Sequence, residues 1–187
     1  MGKRVEIHEA SAVLVHLCRQ QATVKIFAPN TDQMNVVDQL KGSPTEEKRN
    51  VLVESARLVR AFRLNLCSWA VQGKDCSVNE QVKTSLETFH AEKTIGLCCI
   101  SPVLAAKVFP GCEVTVGHDN DDRYPDVPDT AEAISPLGCK HICKHVNEAH
   151  VDEKKYIVTT CAFMCKAPLH EIFDRIGEMV QELLKLS

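Results

Sequence analysis

The sequence predicts an α/β sandwich, a sheet covered on both faces by helices, and three observations carry the prediction. Apolar residues recur at helical spacing in "EASAVLVHLCRQ" (Glu9 to Gln20) and in Leu169 to Leu186. Short β-branched or apolar runs such as "TVKIFA" and "TIGLC" lie between such segments. The two patterns alternate along the chain, which calls for crossover connections and hence a parallel sheet.

The first helix places Ala12, Val13, Leu17 and Cys18 on one stripe, with His16 and Arg19 off it. Thr23 to Ala28 reads as a strand closed by the turn signal Pro29-Asn30. "GSPTEEK" from Gly42 reads as a polar loop, and Arg49 to Arg60 as a helix through Val51, Leu52, Ala56 and Val59. "AFRLNLCSWAVQGKDC" has no clear period. Val78 to Glu92 reads as a helix, Thr94 to Cys98 as a buried strand, and Pro102 to Val108 as a helix closed by Pro110-Gly111. Glu113 to Val116 and Tyr156 to Thr160 read as strands, with "KHICKHV" from Lys140 a weaker one. The last helix aligns Ile172, Phe173, Ile176, Val180, Leu183 and Leu184 on one side.

A length of 187 residues suits a single domain spanning 1–187. The formal net charge of -3 gives no general electrostatic reason to bind nucleic acid or an anionic membrane, so small molecules or proteins are the expected partners. No apolar run reaches membrane-spanning length, and "MGKRVEIHEA" shows neither a signal peptide nor an amphipathic leader. The ten cysteines are dispersed, and several lie inside apolar segments, which fits reduced thiols in an intracellular compartment better than a disulfide scaffold.

Chemistry concentrates at "IGLCCISPVLAAK", Ile95 to Lys107. In an open α/β sheet ligands bind beyond the carboxyl ends of the strands, and Cys99 lies at such an end. The helix that follows turns its free N–H groups toward that position, an arrangement that favours a thiolate. Cys98 should point the opposite way, into the layer packing. The plain alternative is that both are small core hydrophobes, as free cysteines usually are.

The motifs "EIHEASAVLVHL", "KIFAP", "RNVLVESAR", "GKDCSVN", "GLCCISPVLAAKVF", "EVTVGH" and "VTTCAFM" closely resemble the mitochondrial glutamine amidotransferase-like class 1 domain-containing protein 3 family, whose bacterial relative ElbB is described as glyoxalase-like. The resemblance covers almost the whole chain. It implies membership of the PfpI/deglycase superfamily and a flavodoxin-like three-layer sandwich of class I glutamine amidotransferase-like type. It implies a nucleophile at Cys99, an acidic partner at Glu9 and a nearby histidine at His118. A cofactor-free glyoxalase or deglycase acting on a small aldehyde, a mitochondrial location and a homodimer follow from the same resemblance. Glutaminase chemistry does not, because that class uses a His-x-Glu pair after the cysteine. Here His90-Ala-Glu92 precedes Cys99, and Glu148-Ala-His150 runs in the opposite order.

Two family segments are missing. Relatives carry a strand and a glycine-rich loop resembling "VLSGCGVYDGT" before "EIHEA", where this chain joins "MGKRV" directly. They also carry a strand and a "PGGFGAAK" loop before a "NLSTFA" motif, which survives here as Asn65 to Ala70 behind only "AFRL". Both should be central strands ending at the active site, so the fold is expected to be incomplete, with exposed strand edges and weak or lost catalysis. A noncatalytic binding or chaperone-like protein on the same fold is the alternative.

A zinc module is a further reading of "CKHICKH", in which Cys139, His141, Cys143 and His145 alternate. On one strand, alternate side chains stand about 6.6 Å apart, too far for four ligands to gather on one ion. The expectation is therefore no metal and no cofactor. "DNDDRYPDVPDT" from Asp119 reads as an acidic, proline-punctuated surface loop.

Overall fold

The computed structural model describes residues 7–24, 26–28, 30–33, 35–38, 40–59, 64–65, 80–91 and 93–187. The junctions expected to lack family segments, and most of the stretch before Glu80, lie outside these residues. In chain order the elements are helix α1 (Ile7–Arg19), strands β1 (Ile26–Phe27), β2 (Val36–Asp38) and β3 (Ser43–Thr45), helix α2 (Val51–Val59), strand β4 (Leu64–Asn65) and helix α3 (Glu80–His90). Strand β5 (Ile95–Cys98), helix α4 (Pro102–Val108), strand β6 (Glu113–Val114) and helix α5 (Val127–Ile134) follow. Strands β7 (Lys140–His141), β8 (His150–Asp152) and β9 (Ile157–Thr160) and helix α6 (Leu169–Lys185) complete the chain.

Strand β9 organises the sheet. It pairs in parallel with β5 and antiparallel with β8, giving the order β5-β9-β8. All four of its residues are buried, as a strand covered on both faces requires. Strands β6 and β7 pair in parallel. Side chains fasten β6 and the residue after it to the three-stranded sheet. The Thr115 N–H donates to Thr159 Oγ1 at 2.9 Å, and the Glu113 N–H to Asp152 Oδ2 at 2.8 Å. Strand β1 pairs in parallel with β4, and β2 and β3 form an antiparallel hairpin.

The α/β architecture stands, but the all-parallel expectation does not. Strand β8 returns directly to β9 through the turn at Glu153 to Tyr156, too short for a crossover, so that pair is antiparallel. The hairpin β2-β3 occupies part of the stretch read as a polar loop, and α5 begins inside the segment read as an acidic loop. Among the described residues β5, the strand that carries Cys98, pairs with β9 alone.

Helix α6 packs against β5, β9 and α1. Its residues Ile172, Ile176 and Val180 are fully buried, matching the stripe in the sequence. At Gly177 a Cβ would overlap the His16 ring of α1. The missing side chain lets the two helices approach closely enough for Ala12 to be fully buried between layers. No described helix is long and apolar enough to cross a membrane.

Gly177→Val should therefore lower stability by about 1–3 kcal/mol, as overpacking does. Adding His16→Ala should recover at least half of that loss in urea unfolding. Equal midpoints for Gly177→Val and the parent would show that α1 does not press on α6.

Candidate functional site

Residue 99 sits where β5 ends and the chain turns into α4. The Cys99 N–H continues the β5-β9 ladder by donating to the Thr160 carbonyl at 3.1 Å. Its φ is +60°, a left-handed conformation that costs a non-glycine residue of order 1–3 kcal/mol. The turn closes through Ser101, whose N–H and hydroxyl both donate to the Cys98 carbonyl, at 3.1 and 2.6 Å. Pro102 then occupies the first turn of α4, where its missing N–H and fixed φ cost nothing. Together these hold the Cys99 side chain at the carboxyl end of the sheet.

Helix α1 delivers Glu9 to that turn, and Glu9 hydrogen-bonds the Cys99 thiol. The Phe163 N–H donates to Glu9 Oε1 at 3.3 Å. Phe163 follows Ala162, itself left-handed at φ +43°, on the loop that leaves β9. Two backbone segments in rare conformations thus converge on one carboxylate-thiol pair.

Electrostatics at Cys99 oppose the thiolate expected from the helix terminus. Burial pushes the thiol well above its ordinary value, the Glu9 charge and hydrogen bond push it further, and only the Ile100 backbone N–H works against them. Cys99 is therefore a thiol at neutral pH, donating to Glu9. Cys98 is pushed up to about 12, chiefly by burial and then by Glu9 and Cys161. The local dipole of a two-turn helix is outweighed by desolvation.

His118 has different neighbours. It follows Gly117, whose φ of +132° and whose closeness to Tyr124, Val127 and Cys161 leave no room for a Cβ. The His118 ring stacks on His145 at 4.4 Å, and its Nδ1 accepts from the Asn120 N–H at 3.2 Å. Cys99 interacts electrostatically with Glu9 and Cys98, and the His118 ring lies beside His145, Asp119 and His141. The Phe163 N–H that holds Glu9 has no side-chain signature, which is why the sequence did not single it out.

No family model matches the chain. It is similar to the ES1 protein homolog, mitochondrial, of Rattus norvegicus and to the glutamine amidotransferase-like class 1 domain-containing protein 3, mitochondrial, of Homo sapiens. Each is 51% identical over 209 residues, covering 97% of this chain and 78% of the relative. The chain belongs to the glutamine amidotransferase-like class 1 domain-containing protein 3 (ES1) family. The ES1 protein, mitochondrial, of Danio rerio is 34% identical over 217 residues, covering 97% of the chain and 80% of that protein. A solved structure, the isoprenoid biosynthesis protein with amidotransferase-like domain from Ehrlichia chaffeensis, superposes with a TM-score of 0.80 at 28% identity. It covers 97% of this chain and 91% of its own. The fold is thus the amidotransferase-like, flavodoxin-like one.

The aligned part of the chain, 97% of 187 residues or about 181, is spread over 209 positions, so about 28 family positions have no counterpart in it.

The Cys99-Glu9 contact predicts the sign of a change in thiol reactivity. Glu9→Gln removes the charge that raises the thiol, so alkylation of Cys99 by iodoacetamide at pH 8 should speed up severalfold, read by mass spectrometry. Slower alkylation in Glu9→Gln would mean that Glu9 activates the thiolate rather than holding the proton on sulfur.

Proposed function

We propose that this chain, folded as one domain over residues 1–187, is a glyoxalase- or deglycase-like mitochondrial protein that acts slowly on reactive aldehydes through Cys99. The observation that carries the reading is the hydrogen bond between Glu9 and a left-handed Cys99 at the end of β5. The mitochondrial location is supported by the names of the three relatives.

The pair can move every proton that the reaction needs. Cys99 gives its proton to Glu9 as sulfur bonds to the aldehyde carbon of a 2-oxoaldehyde, and the carbonyl oxygen takes that proton to form a hemithioacetal. The Glu9 carboxylate then removes the hydrogen from that carbon and returns it to the neighbouring one, while the hydroxyl proton passes to the neighbouring oxygen through the enediol, which leaves a 2-hydroxyacyl thioester. Water releases the 2-hydroxy acid and restores the thiol. One aldehyde and one water give one hydroxy acid, with no oxidant and no cofactor.

Slow turnover follows from two features. A thiol held above its ordinary value is seldom ionised at neutral pH, and about 28 family positions have no counterpart in the aligned part of the chain, in keeping with the expected loss of a loop that would supply oxyanion donors. The raised thiol also favours the second reading, a noncatalytic binding or chaperone-like protein on the same fold.

Methylglyoxal consumption and lactate formation distinguish the two. Slow turnover that is lost in both Cys99→Ser and Glu9→Gln, while both variants melt cooperatively, is the expected result. Absence of turnover in the cooperatively folded parent would replace the enzyme reading with the noncatalytic one.

A further inference from the structure

A second cluster of reactive side chains lies away from Cys99, where the end of β6 meets β7. Asp119, His141 and Cys143 each offer one ligand atom there, and these atoms lie within 4.8 Å of one another. One pair is already hydrogen-bonded: the Cys143 thiol donates to Asp119 Oδ1 at 3.0 Å. The parallel pairing of β6 with β7 sets Val114 opposite His141, and the chain beyond each strand carries Asp119 and Cys143 into the same corner.

Two further observations separate this cluster from an ordinary polar patch. His141 Nε2 is buried and has no hydrogen-bond partner, which is rare and costly for a buried ring nitrogen. The ring does hydrogen-bond the Gly117 backbone, and since Nε2 is unpartnered that bond falls to Nδ1. A histidine whose Nδ1–H is held by a backbone carbonyl presents the Nε2 lone pair, the arrangement that metal-binding histidines typically share. His145 Nδ1 is likewise buried without a partner, and its ring stacks on His118 beside the cluster.

We propose that Asp119, His141 and Cys143 form a three-ligand site for a zinc-class divalent transition metal. An oxygen, a nitrogen and a sulfur suit a borderline ion and exclude calcium and magnesium, which take oxygen ligands. Zinc bonds of about 2.0–2.3 Å in tetrahedral geometry set ligand atoms roughly 3.3–3.8 Å apart. The observed cluster reaches that spacing with a side-chain shift of about an ångström at the exposed Cys143. Binding releases the thiol proton, so that sulfur coordinates as thiolate. Three protein ligands leave a fourth position for water or an oxygen ligand. A surface groove of about 480 Å³, lined in part by Asp119, His141, Asn120, Glu132 and Lys140, adjoins the site and can admit one.

The strand-spacing argument against four alternating ligands still holds. Cys139 turns inward, its thiol 3.5 Å from Cys112 Sγ and 3.4 Å from the Ala106 carbonyl, so it takes no part. The third ligand comes from Asp119 on the neighbouring connection.

Titration of the purified protein with cobalt(II), followed by zinc competition against a chromophoric chelator, tests the site without any activity assay. One equivalent of cobalt should bind, with thiolate-to-cobalt charge-transfer absorption in the near ultraviolet that zinc abolishes. Cys143→Ser should lose that absorption, and Cys143→Ser and His141→Gln should each weaken binding by more than about tenfold. Cys18→Ser, which alters an exposed thiol elsewhere, should change neither. Unchanged affinity and absorption in Cys143→Ser and His141→Gln would overturn the proposal. So would the lack of saturable cobalt binding by the cooperatively melting parent.

Discussion

The close approach of α1 to α6 at Gly177 decides where Glu9 can be. Glycine in the middle of a helix costs about 1 kcal/mol relative to alanine, and α6 bears that cost where the His16 ring presses against it. Because α6 also covers β5 and β9, fixing α1 on α6 fixes Glu9 against the turn in which β5 ends. The carboxylate reaches Cys99 through this chain of packing and not through sequence proximity. The other fixed point is β9: the loop that leaves it supplies the Phe163 N–H, and its Thr160 carbonyl accepts from Cys99.

Much of this was legible in the residues. Strand β5 is a short apolar run followed by a proline suited to a helix start, and α4 occupies the predicted span Pro102–Val108. Helix α6 shows its buried face as a stripe. What was missed has physical causes. Helix α5 hides behind two prolines and several aspartates. Yet Val127, Ala131 and Ile134 are buried at helical spacing, and Asp126 and Pro128 are ordinary helix-start residues. Strand β8 is three residues with a histidine and an aspartate at its ends, too short for any period. The antiparallel return to β9 depends on a four-residue turn in which Tyr156 is left-handed at φ +52°, and no residue type there announces it.

The site divides in the same way. The motifs point to Cys99 and Glu9, which the fold brings into contact, but sequence position could not give the protonation state. A helix start visible in the sequence argues for a thiolate, whereas the burial and the Glu9 charge that outweigh it exist only in the folded chain. His118 is close to a strand end in sequence, and its neighbours are set by β7 and the residues after it, which bring His141 and His145 to that corner. The alternating "CKHICKH" pattern was misleading as a unit. Its residues part company in the fold, Cys139 into the core and His141 and Cys143 toward Asp119.

A left-handed Cys99 at the end of β5, with burial and Glu9 both holding the proton on its sulfur, is the feature on which the proposed reading turns. The most direct test is the thiolate absorbance of the protein across pH, with that of its Cys99→Ser variant subtracted to isolate Cys99. The account predicts no Cys99 thiolate at neutral pH and a rise only above the ordinary thiol range. A Cys99 thiolate step below pH 7 would contradict it and make Glu9 an activator of the nucleophile.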